Sequence, residues 1–188
     1  MTRPTTNEVS DRALVLYALV RRGYVEHILE ASGGEPGRLV QAEAARIEAH
    51  EWLHRESVAP ALTPTERALF DAASGAWPRE AINDALWRKE CLGTLLWGLQ
   101  HLVGIPPYGE EFDQHVLDEA ITRYGSVSSF RSNGALRAEL EVDDAWMEAD
   151  AWFGASEGRI GEDAALASMS AERYRALSWL RDAAAPTP

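Results

Sequence analysis

Apolar residues recur three and four positions apart along nearly the whole chain, and no stretch alternates apolar and polar positions with β-branched enrichment. The periodicity predicts an all-α protein. Leu14, Tyr17, Val20, Tyr24 and Ile28 mark one face of a first helix, from Asn7 or Ser10 to near Glu30, ended by the turn-forming SGGEPG. A second helix is expected from near Arg38 to about Pro60. In LTPTER, Thr63 can cap, Pro64 suits the first turn, and Glu66 can reach back to the Thr63 amide, so a short helix should run from Pro64 to about Ala73. The longest apolar helix follows, from about Arg79 to Val103. Its second half, CLGTLLWGLQHLV, is hydrophobic on nearly every side, as at the centre of a bundle. Gly93 and Gly98 each cost about 1 kcal/mol relative to Ala in a helix, and their presence suggests close approach of a neighbouring helix or ring. GIPPYGEEFD reads as a loop. Helices follow from about Asp113 to Tyr124, Leu136 to Phe153 and Ala171 to Ala183, with GSVSSFRSNG and GASEGRIGED as connectors. Residues 1–6 and 184–188 are expected to fray. The pattern thus gives one domain of about seven helices around the Arg79 to Val103 helix, a size that 188 residues with 46% hydrophobic content can support.

Charge changes the picture of what such a domain could touch. Thirty acids against eighteen bases give a formal charge of −12, which repels phosphate backbones and anionic lipid, and the bases are scattered. Nucleic acid and membranes are therefore poor ligands, and a protein partner with a basic surface is the better expectation. The polar start, MTRPTTNEVSD, precedes only the short apolar run ALVLYALV, too short to span a bilayer and without a small-residue cleavage site. A single cysteine, Cys91, cannot form an internal disulfide. Both features fit a cytoplasmic protein.

HEWLH, from His50 to His54, matches a zinc-hydrolase motif. Residues four apart share a helical face, so His50 and His54 could hold one ion while Glu51 activates water as the catalytic base. A wheel places both histidines beside Val40 and Ile47, which would turn them inward. A third ligand at a familiar spacing is missing, however. Glu80 is the most tempting carboxylate, with Asp84 one turn beyond, but it lies past two helix breaks. Glu48, Arg55 and Glu56 also put charge where such helices usually carry none. Chance is the favoured reading of the motif, with no cofactor expected; zinc is the alternative. Glu51 and His54 form an ExxH pair too, but the second copy that a di-iron bundle needs is absent.

Six acids and no base lie between Glu139 and Asp150. Glu139 and Asp143, like Asp144 and Glu148, stand four apart and should repel, so internal arginines, a cation or a basic partner must compensate. Seven tryptophans are present, and Trp97 with Trp179 could line a small-molecule pocket, although rings at helical spacing usually fill a core. Cys91 has no histidine partner that would activate it.

Two stretches carry a resemblance, LTPTERALF followed by ALWRKECLGTLLWGLQ, and Leu136–Arg137 followed by ERYRALSWL. Trp87, Arg88, Glu90, Leu95, Leu96 and Trp97 in the middle, and Glu172, Arg173, Leu177, Trp179 and Leu180 near the end, are similar to the signatures of a bacterial family catalogued as domain of unknown function 4272. The resemblance covers about two thirds of the chain and implies a soluble all-α domain with no assigned activity. Within its motifs, Glu90 falls on a helix destined for burial, where an unpaired carboxylate would cost several kcal/mol. Arg173 or Arg137 is expected to pair with it. The reading favoured at this point is a non-enzymatic interaction domain with an acidic surface. The alternatives are a zinc hydrolase and a Trp-lined binder.

Overall fold

A computed structural model describes residues 2–157 and 164–188. Among the described residues there is no strand, and eight α-helices follow one another: α1 (Thr6–Ala31), α2 (Pro36–Arg55), α3 (Pro64–Asp71), α4 (Arg79–Gly98), α5 (Gln114–Thr122), α6 (Val127–Asn133), α7 (Glu139–Glu157) and α8 (Ala164–Arg181). The all-α class holds.

Several boundaries differ from expectation, among them that of α2, which stops at Arg55 rather than about Pro60. The helix beyond the expected seven is α6, in a segment read as a connector. Ser126 caps it by accepting from the Ser129 amide, and Val127 and Phe130 are buried; two apolar positions in seven residues are too few to show a period. At α3 the capping box forms as expected, with Thr63 and Glu66 each accepting from the other's amide. α4 stops at Gly98 rather than Val103. Gln100 takes a left-handed conformation (φ 62°), its amide donates to Trp97 O and that of His101 to Leu96 O, the pairing that closes a Schellman end. α8 begins at Ala164 rather than near Ala171; of the connector expected before it, residues 158–163 lie outside the described residues. Residues 2–6 and 184–188, expected to fray, carry specific bonds instead: Ala183 N donates to Thr2 O at 2.8 Å, Arg3 Nε to Leu180 O at 3.2 Å, and Arg12 Nε to Pro188 O.

The chain divides into two compact units, Leu14–Arg88 and Met1–Ala13 with Lys89–Pro188, so α1 and α4 contribute residues to both. The core of Leu14–Arg88 includes Leu16, Leu53, Phe70, Trp77 and Ile82. Gly23 permits close approach there, since a methyl built on it would lie 2.9 Å from Ala85 Cβ. Two charges sit inside this core: Arg22 and Glu26 pair at 2.5 Å. Ser74 Oγ accepts from Arg22 Nη1 and donates to Glu43, while Glu26 accepts from the Gly75 amide. Arg46 and Ser74 hold the Glu43 carboxyl down to about 2.

In the larger unit, Cys91, Leu92, Leu95, Leu96 and Leu99 are fully buried. A methyl on Gly93 would collide with the Phe112 ring, and one on Gly98 would sit 2.8 Å from Leu180 Cδ1. The two glycines of α4 thus admit a ring and a neighbouring helix, as their cost to the helix suggested. α7 and α8 pack together through a Trp146 Nε1 bond to Ser178 Oγ at 3.0 Å and a Phe153–Tyr174 stack.

Candidate functional site

Glu90 and Arg173 come from α4 and α8, and neither side chain is exposed at all. Arg173 Nε donates to Glu90 Oε2 at 2.8 Å. The carboxylate's other oxygen accepts from the Phe112 amide at 3.0 Å. Arg173 then spends its remaining donors on the 104–113 loop, to Pro106 O at 2.8 Å and Glu110 O at 2.6 Å. The Tyr108 and Phe112 rings lie 5.1 and 5.2 Å from its guanidinium carbon. Burial pushes the Glu90 carboxyl above its ordinary range, while Arg173 and the Phe112 amide pull it back. Burial also pushes the Tyr108 hydroxyl up. Both Glu90 oxygens and all three Arg173 nitrogens thus bond to protein groups, and these bonds join α4, α8 and the loop.

Arg137, the other candidate partner for Glu90, does different work. Its Nε donates to Trp97 O, its Nη2 to Leu102 O and Val103 O, and its Nη1 pairs with Glu141. A cation is thus set on a carbonyl of the last turn of α4, where the helix dipole favours it, and on two carbonyls of the segment that follows. The guanidinium covers the Trp97 ring at 4.7 Å. Trp97 and Trp179 are both buried, and neither lines the cleft of about 140 Å³ found in this unit, which is bounded by Arg3, Glu139, Val142, Asp143 and Arg181.

The HEWLH helix is turned the opposite way from its wheel reading. Val40 is 71% exposed and Ile47 46%, so their face looks outward and takes the histidines with it. In α2 only Ala42 and Leu53 are buried, because α2 rests on the core along the stripe that holds Leu53. The His50 and His54 rings lie 4.7 Å apart, and His50 Nε2 meets Asp71 Oδ1 at 3.5 Å. Glu51 and Glu80 are exposed. Among the described residues, no three His, Cys, Asp or Glu side chains are grouped to hold a metal ion.

On α7, Asp143 pairs with Arg181 at 2.6 Å, which relieves its repulsion from Glu139. Asp144, Glu148 and Asp150 are exposed, and no ion pair among the described residues neutralises them. Leu140 and Met147, on the same helix, are 77% and 57% exposed.

The family model described as "Domain of unknown function (DUF4272)" matches residues 1–186. The chain belongs to this family. No curated protein and no solved structure matches it. The DUF4272 match extends across α1 and α2 as well, beyond the two thirds that the resemblance covered.

Several residues of this DUF4272 chain escaped the sequence reading. Arg22 and Glu26 had a signal: they stand four apart on the stripe Leu19, Arg22, Glu26, Leu29, all nearly inaccessible, and two opposite charges inside an apolar stripe mark an internal pair. Cys91 Sγ lies 2.9 Å from Glu172 Oε2, and Glu172 Oε1 accepts from Arg175; the separation of 81 positions between Cys91 and Glu172 hid that contact. His101 is buried, with Nδ1 2.7 Å from the Tyr124 hydroxyl. Burial and the nearby Arg123 hold it down to about 4. Arg3 had no signal, because its partners are backbone carbonyls.

Proposed function

We propose that this domain is a non-catalytic docking module of the cytoplasm whose outward α7 face receives a basic, partly apolar segment of another protein. The observation that carries the reading is the composition of that face. Leu140 and Met147 stand exposed beside Asp144, Glu148 and Asp150, none of which has a cation among the described residues. Apolar contact would supply affinity, while the uncompensated acids would supply steering and selectivity for a basic partner. The overall charge of −12 strengthens the same preference. The cytoplasmic placement is supported by a sole cysteine in no disulfide and by the absence, among the described residues, of a helix long and apolar enough to cross a membrane.

The test is capture of partners on the immobilised protein, comparing the native chain with L140S/M147S and with D144N/E148Q. Both variants should lose the same partner. Its binding to the native chain should weaken as salt rises from about 50 to 500 mM, because exposed charges are screened. A partner held equally by all three proteins, or indifferent to salt, would refute the reading.

A further inference from the structure

The cleft at the start of α7 differs from the docking face in having both signs of charge arranged around a space. Arg3 is fixed by two backbone carbonyls, Leu180 O at 3.2 Å and Arg137 O at 3.1 Å, and meets no carboxylate among the described residues. Its Nη1 remains available. Arg181 is fixed on two sides, by Asp143 Oδ1 at 2.6 Å from Nε and by the Trp146 ring 4.0 Å from its guanidinium carbon, which leaves its Nη groups. Opposite in sign, Glu139 lines the same cleft and has no ion pair among the described residues. The four charges that line the cleft, Arg3, Arg181, Glu139 and Asp143, sum to zero. A simple anion would face two carboxylates there, and a simple cation two guanidiniums. A molecule carrying both charges matches each side and is penalised by neither.

Size narrows the ligand. The volume is about 140 Å³, close to the roughly 150 Å³ of a cavity that takes a benzene-sized molecule of about six non-hydrogen atoms. We propose that this cleft binds a small zwitterion, a free amino acid of the size of alanine, with its carboxylate toward Arg3 and Arg181 and its ammonium toward Glu139. Held guanidiniums lower the entropic cost of binding, since they need not be ordered by the ligand.

Amide NMR shifts of the full chain test the proposal, with L-alanine as probe and acetate and methylammonium as its two halves. L-alanine should shift Val142, Asp143 and Arg181 saturably, and each half should bind at least about tenfold more weakly, as expected when one charge-assisted hydrogen-bonded end is missing. E139Q should weaken L-alanine by a similar factor without unfolding the protein, because Glu139 is exposed. R3Q should do the same, with its unshifted core amides serving as the check on folding. Acetate binding as tightly as L-alanine, no saturable shift up to about 10 mM, or an unaltered affinity in E139Q would each overturn the proposal.

Discussion

Arg173 shows what a single buried cation can organise. Glu90 cancels its charge, and its other donors satisfy carbonyls of the loop that follows α4. Removing one member of such a pair leaves the other desolvated and alone, so E90A should lose about 3–5 kcal/mol of unfolding free energy in a urea titration. E90L/R173M should be less destabilised than E90A, since no charge is stranded. His101 sets a pH dependence whose sign follows from its depressed value. The folded protein favours the neutral ring, with a value of about 4 against an ordinary 6.5, so its contribution is complete above pH 6.5 and is lost as pH falls toward 4. That loss is on the order of 3 kcal/mol, and H101F should flatten the stability profile across the same interval. At this scale the need of Glu90 for a partner was legible, because a carboxylate on an apolar helix must be matched. The choice of Arg173 over Arg137 was not, because Arg137 is claimed by backbone carbonyls that have no signature in side-chain pattern.

Helix type followed from periodicity, while helix ends and orientations followed from contacts the pattern does not contain. α3 was readable to its cap because its box is local. T63A should therefore cost about 1 kcal/mol, seen as a lower urea midpoint at unchanged slope. The inward glycines of α4 were also readable, though their neighbours were not. G93A would drive a methyl into the Phe112 ring, a strain of about 1–3 kcal/mol that outweighs the gain of about 1 kcal/mol in helix propensity. Its thermal midpoint should fall; a rise would mean that the ring moves aside freely. α2 was the hardest to orient. Its apolar residues lie on more than one side, with Leu39, Val40 and Ile47 exposed and Leu53 buried, so a wheel alone could not say which stripe faced the core.

For the molecule as a whole, the outward turn of α2 sets the expectation for the zinc motif. Protein purified without an affinity tag should carry no stoichiometric zinc, and H50A/H54A should leave its metal content unchanged by elemental analysis, since no third ligand is grouped with the two rings. The fold class and the family were both legible from one sequence because buried motifs are dense in tryptophan, leucine and paired charge. Function was not, since an acidic face and a mixed-charge cleft depend on which residues the fold leaves outside. The bond between Arg173 and Glu90 joins positions 83 residues apart, and this has a consequence for the order of assembly. Until α8 has been synthesised, Glu90 lacks the guanidinium that pairs with it, and the 104–113 loop lacks its two carbonyl bonds to Arg173. Such distant closure slows folding, and a ribosome-bound chain halted before Ala164 should keep residues 104–113 open to protease, with protection arriving only when the last helix emerges.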